Sequence, residues 1–412
     1  MKIKSFYLRW AIRLSFLAGA VGLTLNGPLP PALARLFPGA SPLTWLASTL
    51  AGRGPLAGAW WALPALAVLL LALWRGRWFC RWFCPAGTLY GLGVPLSLKR
   101  TLPAWRANGF LFWMILAGAA VGITSGLGLG LDPLSSFNRL PSLLAPAARE
   151  GFAWIPGLVV PLFLLAGLVW PAFWCARFCP LGYAFDLTFA LSHRQFTGSV
   201  RPDHVRRDLL VGAAIGLPLA GLLRWLSFRN RLTAEDPRAF TPAAILPPGA
   251  GTAERFDRLC TRCYACVHTC ITGVIRVPAP DWRNPAAAFS PRLDFSKAFC
   301  TQNCNRCTQA CPTGALPPLT EAAKQQVRLG TAVVFKEKCL AWADGEHCMV
   351  CQEMCPYVAI SISESPTGIP RPVVDPAICR GCGFCENQCP AARAGKAILV
   401  RGIPRQEQIP NA

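Results

Sequence analysis

The sequence predicts two dissimilar parts: an α-helical membrane bundle of about five transmembrane helices, then an α+β domain organised around cysteine. Three observations carry this. Five apolar stretches punctuate the chain before residue 230, a Cys-x3-Cys-Pro segment occurs there twice, and sixteen of the twenty cysteines crowd into residues 260–389. A chain of 412 residues has room for two or three domains. The divisions fall at 1–205 for the bundle, 206–240 for a fifth helix and linker, and 241–412 for the cysteine-rich domain.

In chain order, the stretches near residues 11–27, 56–74, 109–128, 154–172 and 209–228 are long enough to cross a bilayer as helices. Arg13 and Arg224 blur the first and the last, and an arginine near a helix end can snorkel to the interface. Basic residues alternate between the intervening loops. Lys2, Lys4 and Arg9 precede the first stretch, Arg75, Arg77, Arg81, Lys99, Arg100 and Arg106 follow the second, and Arg177, Arg194, Arg201, Arg206 and Arg207 follow the fourth. The positive-inside rule then places the N-terminus and both Cys-x3-Cys-Pro motifs in the cytoplasm. Five crossings put the last domain in the periplasm, in a multi-pass protein of the bacterial inner membrane surrounded by lipid. Arg224, Arg229 and Arg231 run against that orientation.

The repeat reads Trp78-Phe79-Cys80-Arg81-Trp82-Phe83-Cys84-Pro85-Ala86-Gly87 and then Phe173-Trp174-Cys175-Ala176-Arg177-Phe178-Cys179-Pro180-Leu181-Gly182. Each copy follows an even-numbered stretch, so the front half is two units of helix, helix and motif. Sulfurs at i and i+4 share one helix face. Together Cys80, Cys84, Cys175 and Cys179 supply four thiols, the number one iron–sulfur cubane needs. Paired redox dithiols and plain structural thiols are the alternatives. Trp78, Trp82 and Trp174 fit an interfacial aromatic belt or the wall of a quinone pocket.

The last domain holds four runs: Cys260-x2-Cys263-x2-Cys266-x3-Cys270, Cys300-x3-Cys304-x2-Cys307-x3-Cys311, Cys339-x8-Cys348-x2-Cys351-x3-Cys355 and Cys379-x2-Cys382-x2-Cys385-x3-Cys389. A [4Fe–4S] cluster is held by such a run, and its fourth thiolate often serves a neighbouring cluster. Short x2 loops wrap three corners of a cube, and the x3 step carries the last sulfur away on a helix. Four clusters are therefore expected, with a fifth if the two Cys-x3-Cys-Pro motifs share one. Structural zinc needs no third cysteine at the next x2 step, and cysteines spaced this closely do not easily bridge each other. The outer runs are compact and the middle two expanded, which suggests nested pairing, first with fourth and second with third, although consecutive pairing stays open. Strands are expected near Ala332–Phe335 and Ala397–Val400, with short helices beside the runs.

The formal charge of +21 points less to nucleic acid than it would elsewhere. Much of the excess lies in short loops, and each bound cluster with its four thiolates would bring a charge of about −2. The four histidines, His193, His204, His268 and His347, lie outside the apolar stretches, which argues against a transmembrane haem. His193, His204 and Asp186 are candidates to pass a proton near a quinol, or ordinary loop residues.

At these residues the chain resembles known families. The paired motifs, with Leu131-Asp132-Pro133-Leu134, resemble the NapH-type membrane subunit of periplasmic nitrate reductase systems. From Ile245 onward the chain resembles the NapG/MauM ferredoxins, through Leu246-Pro247-Pro248-Gly249-Ala250, Cys311-Pro312-Thr313-Gly314-Ala315-Leu316 and the widened third run. Together these resemblances describe a fusion of two subunits. Arg206-Arg207 before an apolar stretch resembles a twin-arginine export signal. The resemblance implies electron transfer from the quinol pool to a periplasmic redox enzyme or cytochrome, with a nitrate reductase-type partner the first choice. It implies an electron-transfer component, not an independent enzyme. A maturation or redox-regulatory protein is the rival, and a membrane-tethered cytoplasmic polyferredoxin a third reading.

Overall fold

The computed structural model describes residues 2–25, 28–52, 62–92, 94–98, 101–102, 105–121, 129–143, 152–196, 200–234, 244–280, 284–364, 368–391 and 395–409. The front half is helical. α1 (Lys2–Leu25), α2 (Pro31–Gly39), α3 (Pro42–Gly52) and α4 (Leu63–Arg75) lead into the first motif, which spans a one-turn α5 (Trp78–Trp82) and the start of α6 (Pro85–Leu92). Then come α7 (Asn108–Ala120), α8 (Pro133–Arg139) and α9 (Val159–Val169). The second motif repeats the first: a π-helical turn at Trp174–Phe178 and α10 (Pro180–His193). Proline opens both following helices because its missing N–H would have no partner there. A final long helix, α11 (Pro202–Ala234), lies along α7. Gly212 and Gly216 make this possible: a Cβ at Gly212 would stand 2.8 Å from Trp113 Cβ, and one at Gly216 3.1 Å from the Met114 carbonyl.

The membrane bundle and the multi-pass inner-membrane location are corrected by this architecture. Among the described residues no helix is long and apolar enough to cross a membrane. A crossing takes about 20 apolar residues. α4 and α7 have 13 residues each and α9 has 11, which at 1.5 Å per residue is about 20 Å or less. The longer helices are interrupted by charge. α1 carries Lys2, Lys4, Arg9 and Arg13, and α11 leaves only 209–223 free of charge between Asp208 and Arg224. Residues 26–27, 56–61 and 122–128 of the expected spans lie outside the described residues.

With the spans goes the assignment of the motifs to one side and the cysteine-rich domain to the other. That assignment read basic residues as loop markers, yet Arg13, Arg77 and Arg139 are bound inside the fold. The halves are packed together, not held apart: Leu29, Ala34, Cys263, Ala265 and Ala310 form one apolar cluster across the joint. The outward faces of α4, α9 and α11 leave Leu66, Leu70, Leu162, Leu165, Leu210 and Leu222 exposed in the single chain.

The back half is α+β, with three two-stranded antiparallel sheets. β1 (Ile275–Arg276) pairs with β2 (Arg292–Leu293), and β4 (Ile360–Glu364) with β5 (Pro370–Val374). β3 (Val327–Val334) and β6 (Ile398–Gln408) contain the two expected strand segments apart from Phe335 and Ala397, and pair with each other through Ala332 opposite Val400. Helices are short: α12 (Ala253–Leu259), α13 (Ala265–His268), α14 (Arg306–Ala310), α15 (Glu321–Gln325), α16 (Val350–Glu353) and α17 (Phe384–Gln388). The core between them is thin in large side chains: eight of the sixteen cysteines are buried in it, packed with Leu246, Phe256, Leu259, Phe295 and Ile398.

Candidate iron–sulfur centres

Each run builds the same local device. The third cysteine sits on a one-turn helix: Cys266 on α13, Cys307 on α14, Cys351 on α16 and Cys385 on α17. The fourth emerges beyond that turn, facing away from the first three. In the compact runs the loop turns through left-handed backbone on either side of the second cysteine, at Arg262 and Tyr264 in the first and at Gly381 and Gly383 in the fourth. Glycine takes this conformation freely, whereas Arg262 and Tyr264 are strained there by about 1 kcal/mol or more each. Hydrogen bonds hold them in place: Tyr264 Oη donates to the Phe289 carbonyl at 3.2 Å, and the Arg262 carbonyl accepts from Arg139 Nε at 2.7 Å.

The fold gathers the sixteen cysteines into four quartets, and they pair consecutively. Cys266 feels the charge of Cys260, Cys263 and Cys311, so the fourth member comes from the second run. Cys307 feels Cys300, Cys270 and Cys304. Cys351 feels Cys339, Cys348 and Cys389, and these four line one cavity. Cys385 feels Cys382, Cys379 and Cys355, which line another. The nested pairing is thus corrected. Run length is a local property, while the exchange of fourth cysteines follows from the packing of α13 against α14 and of α16 against α17. Cys270, followed by Ile271 where the other three runs end in Cys-Pro, still joins a quartet.

Burial pushes the thiols of Cys260, Cys263, Cys266, Cys300, Cys307, Cys351, Cys382 and Cys385 upward. Cys263 rises to about 11, and Cys260, Cys351 and Cys382 to about 12. Cys266, Cys307 and Cys385 go further, through burial first and neighbouring thiolates next. Four such thiols ionise together only around a cationic core. Amide N–H groups already aim at the sulfurs: Leu316 at Cys311 (3.4 Å), Ala332 at Cys379 (3.4 Å) and Ala359 at Cys355 (3.3 Å). The donor set suits an all-thiolate cluster. All twenty cysteines are free thiols, so none is committed to a disulfide. Among the described residues no three His, Cys, Asp or Glu side chains converge on one point as a lone metal ion requires; the Cys351 and Cys385 quartets line cavities instead.

The two Cys-x3-Cys-Pro motifs also meet. Cys80 feels Cys84, Cys179 and Cys175, and burial raises all four thiols, Cys84 to about 12. Their symmetry is close. Gly87 N–H donates to Cys84 Sγ and Gly182 N–H to Cys179 Sγ, both at 3.3 Å. Trp174 is only 1% exposed and packs on Phe163 with ring centroids 4.1 Å apart, so it belongs to the core and not to an aromatic belt. Asp186 is held by Arg77, at 2.7 and 2.6 Å, and is not a loose proton carrier. Arg77 also donates to the Cys175 carbonyl, while Arg13 donates to the Gly87 carbonyl at 2.8 Å.

These arginines belong to a set that sequence reasoning missed. Arg139 Nη2 donates to the Thr261 carbonyl at 3.0 Å, and Lys324 Nζ bonds the carbonyls of Thr301 and Gln302. Arg255 donates to the carbonyls of Gly314 and Ala315, and Lys396 to those of Asn387 and Cys389. Each clamps a loop that carries or adjoins a ligand candidate. No local pattern announces them, because a backbone carbonyl as partner leaves no mark in residue type. Of the histidines, His268 is half-buried beside the first quartet, bonds the Asn138 carbonyl at 2.9 Å and has its pKa lowered by desolvation to about 4.

Known proteins resemble these same segments. Residues 57–103 and 151–197, each with one Cys-x3-Cys-Pro motif, match the family model described as a 4Fe-4S binding domain, and 346–392 match a 4Fe-4S dicluster domain. The methylamine utilization ferredoxin-type protein MauM of Methylophilus methylotrophus is 34% identical over 176 residues, 41% of this chain and 76% of that protein. MauM of Paracoccus denitrificans is 32% identical over 212 residues, 48% of this chain and 88% of its own length. The ferredoxin-type protein NapF of Escherichia coli K12 is 32% identical over 149 residues, 36% and 81% respectively. No solved structure matches.

Proposed function

The chain belongs to the family of ferredoxin-type iron–sulfur proteins that includes MauM and NapF, and from that premise we propose that it relays electrons from a quinol-level donor to a periplasmic redox enzyme. The observation that carries the reading is the gathering of cysteines from four separate runs into four all-thiol quartets. Cys260, Cys263, Cys266 and Cys311 would hold one [4Fe–4S] cluster, and Cys270, Cys300, Cys304 and Cys307 a second. Cys339, Cys348, Cys351 and Cys389 would hold a third, and Cys355, Cys379, Cys382 and Cys385 a fourth. Cys80, Cys84, Cys175 and Cys179 are the fifth candidate set, in a NapH-like module at 1–205 joined through 206–240 to the ferredoxin module at 241–412. Each cluster, when bound, accepts and releases one electron at nearly constant geometry.

The chain's own part is to hold, space and tune. Within each pair, neighbouring quartets sense each other's charge. Cys266 lies within reach of Cys307, and Cys351 within reach of Cys385. Within the ferredoxin module, the first pair of quartets meets the second pair where Cys300 N–H donates to the Cys382 carbonyl at 2.9 Å. Tyr357 feels the thiolates on both sides of that joint, Cys382 and Cys300. Iron and acid-labile sulfide per chain test the assignment. About sixteen iron atoms support four clusters and about twenty support five; an anaerobic preparation that is colourless or holds zinc sinks the proposal. Loss of visible absorbance on adding a reduced quinol analogue tests the donor.

A further inference from the structure

We infer that Arg139, from the front half, is a positioning residue that raises the reduction potential of the centre formed by Cys260, Cys263, Cys266 and Cys311. This rests on the cluster reading above. Arg139 is 2% exposed; Asp132, the cap of the same helix, feels its charge, but among the described residues no carboxylate lies within ion-pair distance of it. Its guanidinium is spent on three carbonyls: Arg262 (2.7 Å), Thr261 (3.0 Å) and Gly130 (3.2 Å). Thr261 and Arg262 are the two residues between the first pair of ligand candidates. On the same helix Asn138 Nδ2 donates to the Cys263 carbonyl at 2.7 Å. α8 therefore grips the whole Cys260–Cys263 loop from behind.

The grip has an electrostatic consequence. In a trans peptide the C=O and N–H point in opposite directions. Drawing the Thr261 carbonyl toward Arg139 turns the Arg262 N–H toward the cysteines, and that N–H bonds Cys260. A hydrogen bond from a cation to a carbonyl polarises the same peptide's N–H, so the charge reaches the sulfur through one peptide unit. Reduction adds negative charge to the centre. A buried cation and a strengthened N–H···S bond both favour the reduced state. The other clamps on the cysteine runs, buried Lys324 and half-buried Arg255 and Lys396, belong to the back half. Arg139 is the clamp that makes this centre sensitive to how the two halves are docked.

The test is a reductive titration of the full, iron-loaded chain followed by electron paramagnetic resonance, with iron counted on the same samples. In Arg139→Gln the iron count is expected to match wild type, while one wave moves to lower potential and the others stay. At the wild-type midpoint the oxidised-to-reduced ratio of that centre should rise about tenfold, equal to about 59 mV for one electron. Arg139→Lys keeps the charge without the planar fork and should shift the same wave less. If Arg139→Gln loses iron, the lysine variant decides: a shifted wave supports the inference and an unshifted one overturns it. Full iron with every wave of Arg139→Gln superimposed on wild type also overturns it, as does loss of about four iron atoms from both variants, which would make Arg139 a structural dock. A wild-type chain without clusters would instead sink the cluster assignment itself.

Discussion

Cys311 and Cys270 have changed places: each stands at the end of one run and completes the quartet of the other. The exchange is testable one residue at a time. Cys311→Ser should remove the same paramagnetic signal as Cys260→Ser, while Cys270→Ser should remove the signal lost in Cys304→Ser. Each is expected to lower iron by about four atoms per chain. The nested pairing gives a different grouping of phenotypes, so the four variants separate the two. Legibility also ends at the residue scale. Spacing named all sixteen cysteines because x2 loops and one-turn helices are local geometry. It named none of the clamps, since a lysine or arginine bonding a remote carbonyl has no signature in sequence.

At the scale of elements, α8 is the piece on which both halves depend. Asp132 caps it, accepting from Ser135 N–H at 2.9 Å and from Ser41 Oγ at 2.8 Å with no exposure to solvent. Asp132→Ala removes the cap, worth about 0.5–2 kcal/mol, and leaves buried donors unpaired at about 1–3 kcal/mol. A drop of about 2–4 kcal/mol in denaturant-measured stability is the expected outcome, and Asp132→Asn should recover part of it. A second element-level case is the contact of β3 with the fourth run. Gly381 has φ +67°, and a Cβ there would collide with the Gly330 backbone. Gly381→Ala should cost more than about 2 kcal/mol and release iron from the Cys379 quartet, read by melting and iron count. The strand pair near 332 and 400 was visible in β-branched and apolar runs, but the bulge between Arg328 and Gly330 that admits Gly381 was not.

For the whole molecule, the back half should depend on its cofactors. Its core consists of cysteines with small and medium apolar side chains, and its sheets have two strands each. Such sheets are marginal by themselves. Stripping iron with a chelator under reducing conditions is expected to abolish the far-UV signature of this region. Protease sites after Ile245 should open, and both changes should reverse on reconstitution. Retention of a protected fragment from Ile245 onward in the iron-free chain would show that apolar packing alone suffices. The front half taught a different lesson. Hydropathy read its apolar stretches as spans, but the sum over a window does not see where a helix stops: α7 ends at Ala120 and α4 begins at Leu63.

The sequence by itself determined the ligand chemistry, the duplicated motif and the α+β character of the last third, since each is set by residue type and short spacing. Tertiary structure alone decided which fourth cysteine joins which quartet, how the front half meets the back, and where the buried cations go. Those outcomes depend on contacts between residues far apart in the chain, such as Arg139 with Thr261 and Cys300 with Cys382, and such contacts exist only once the chain has closed on itself.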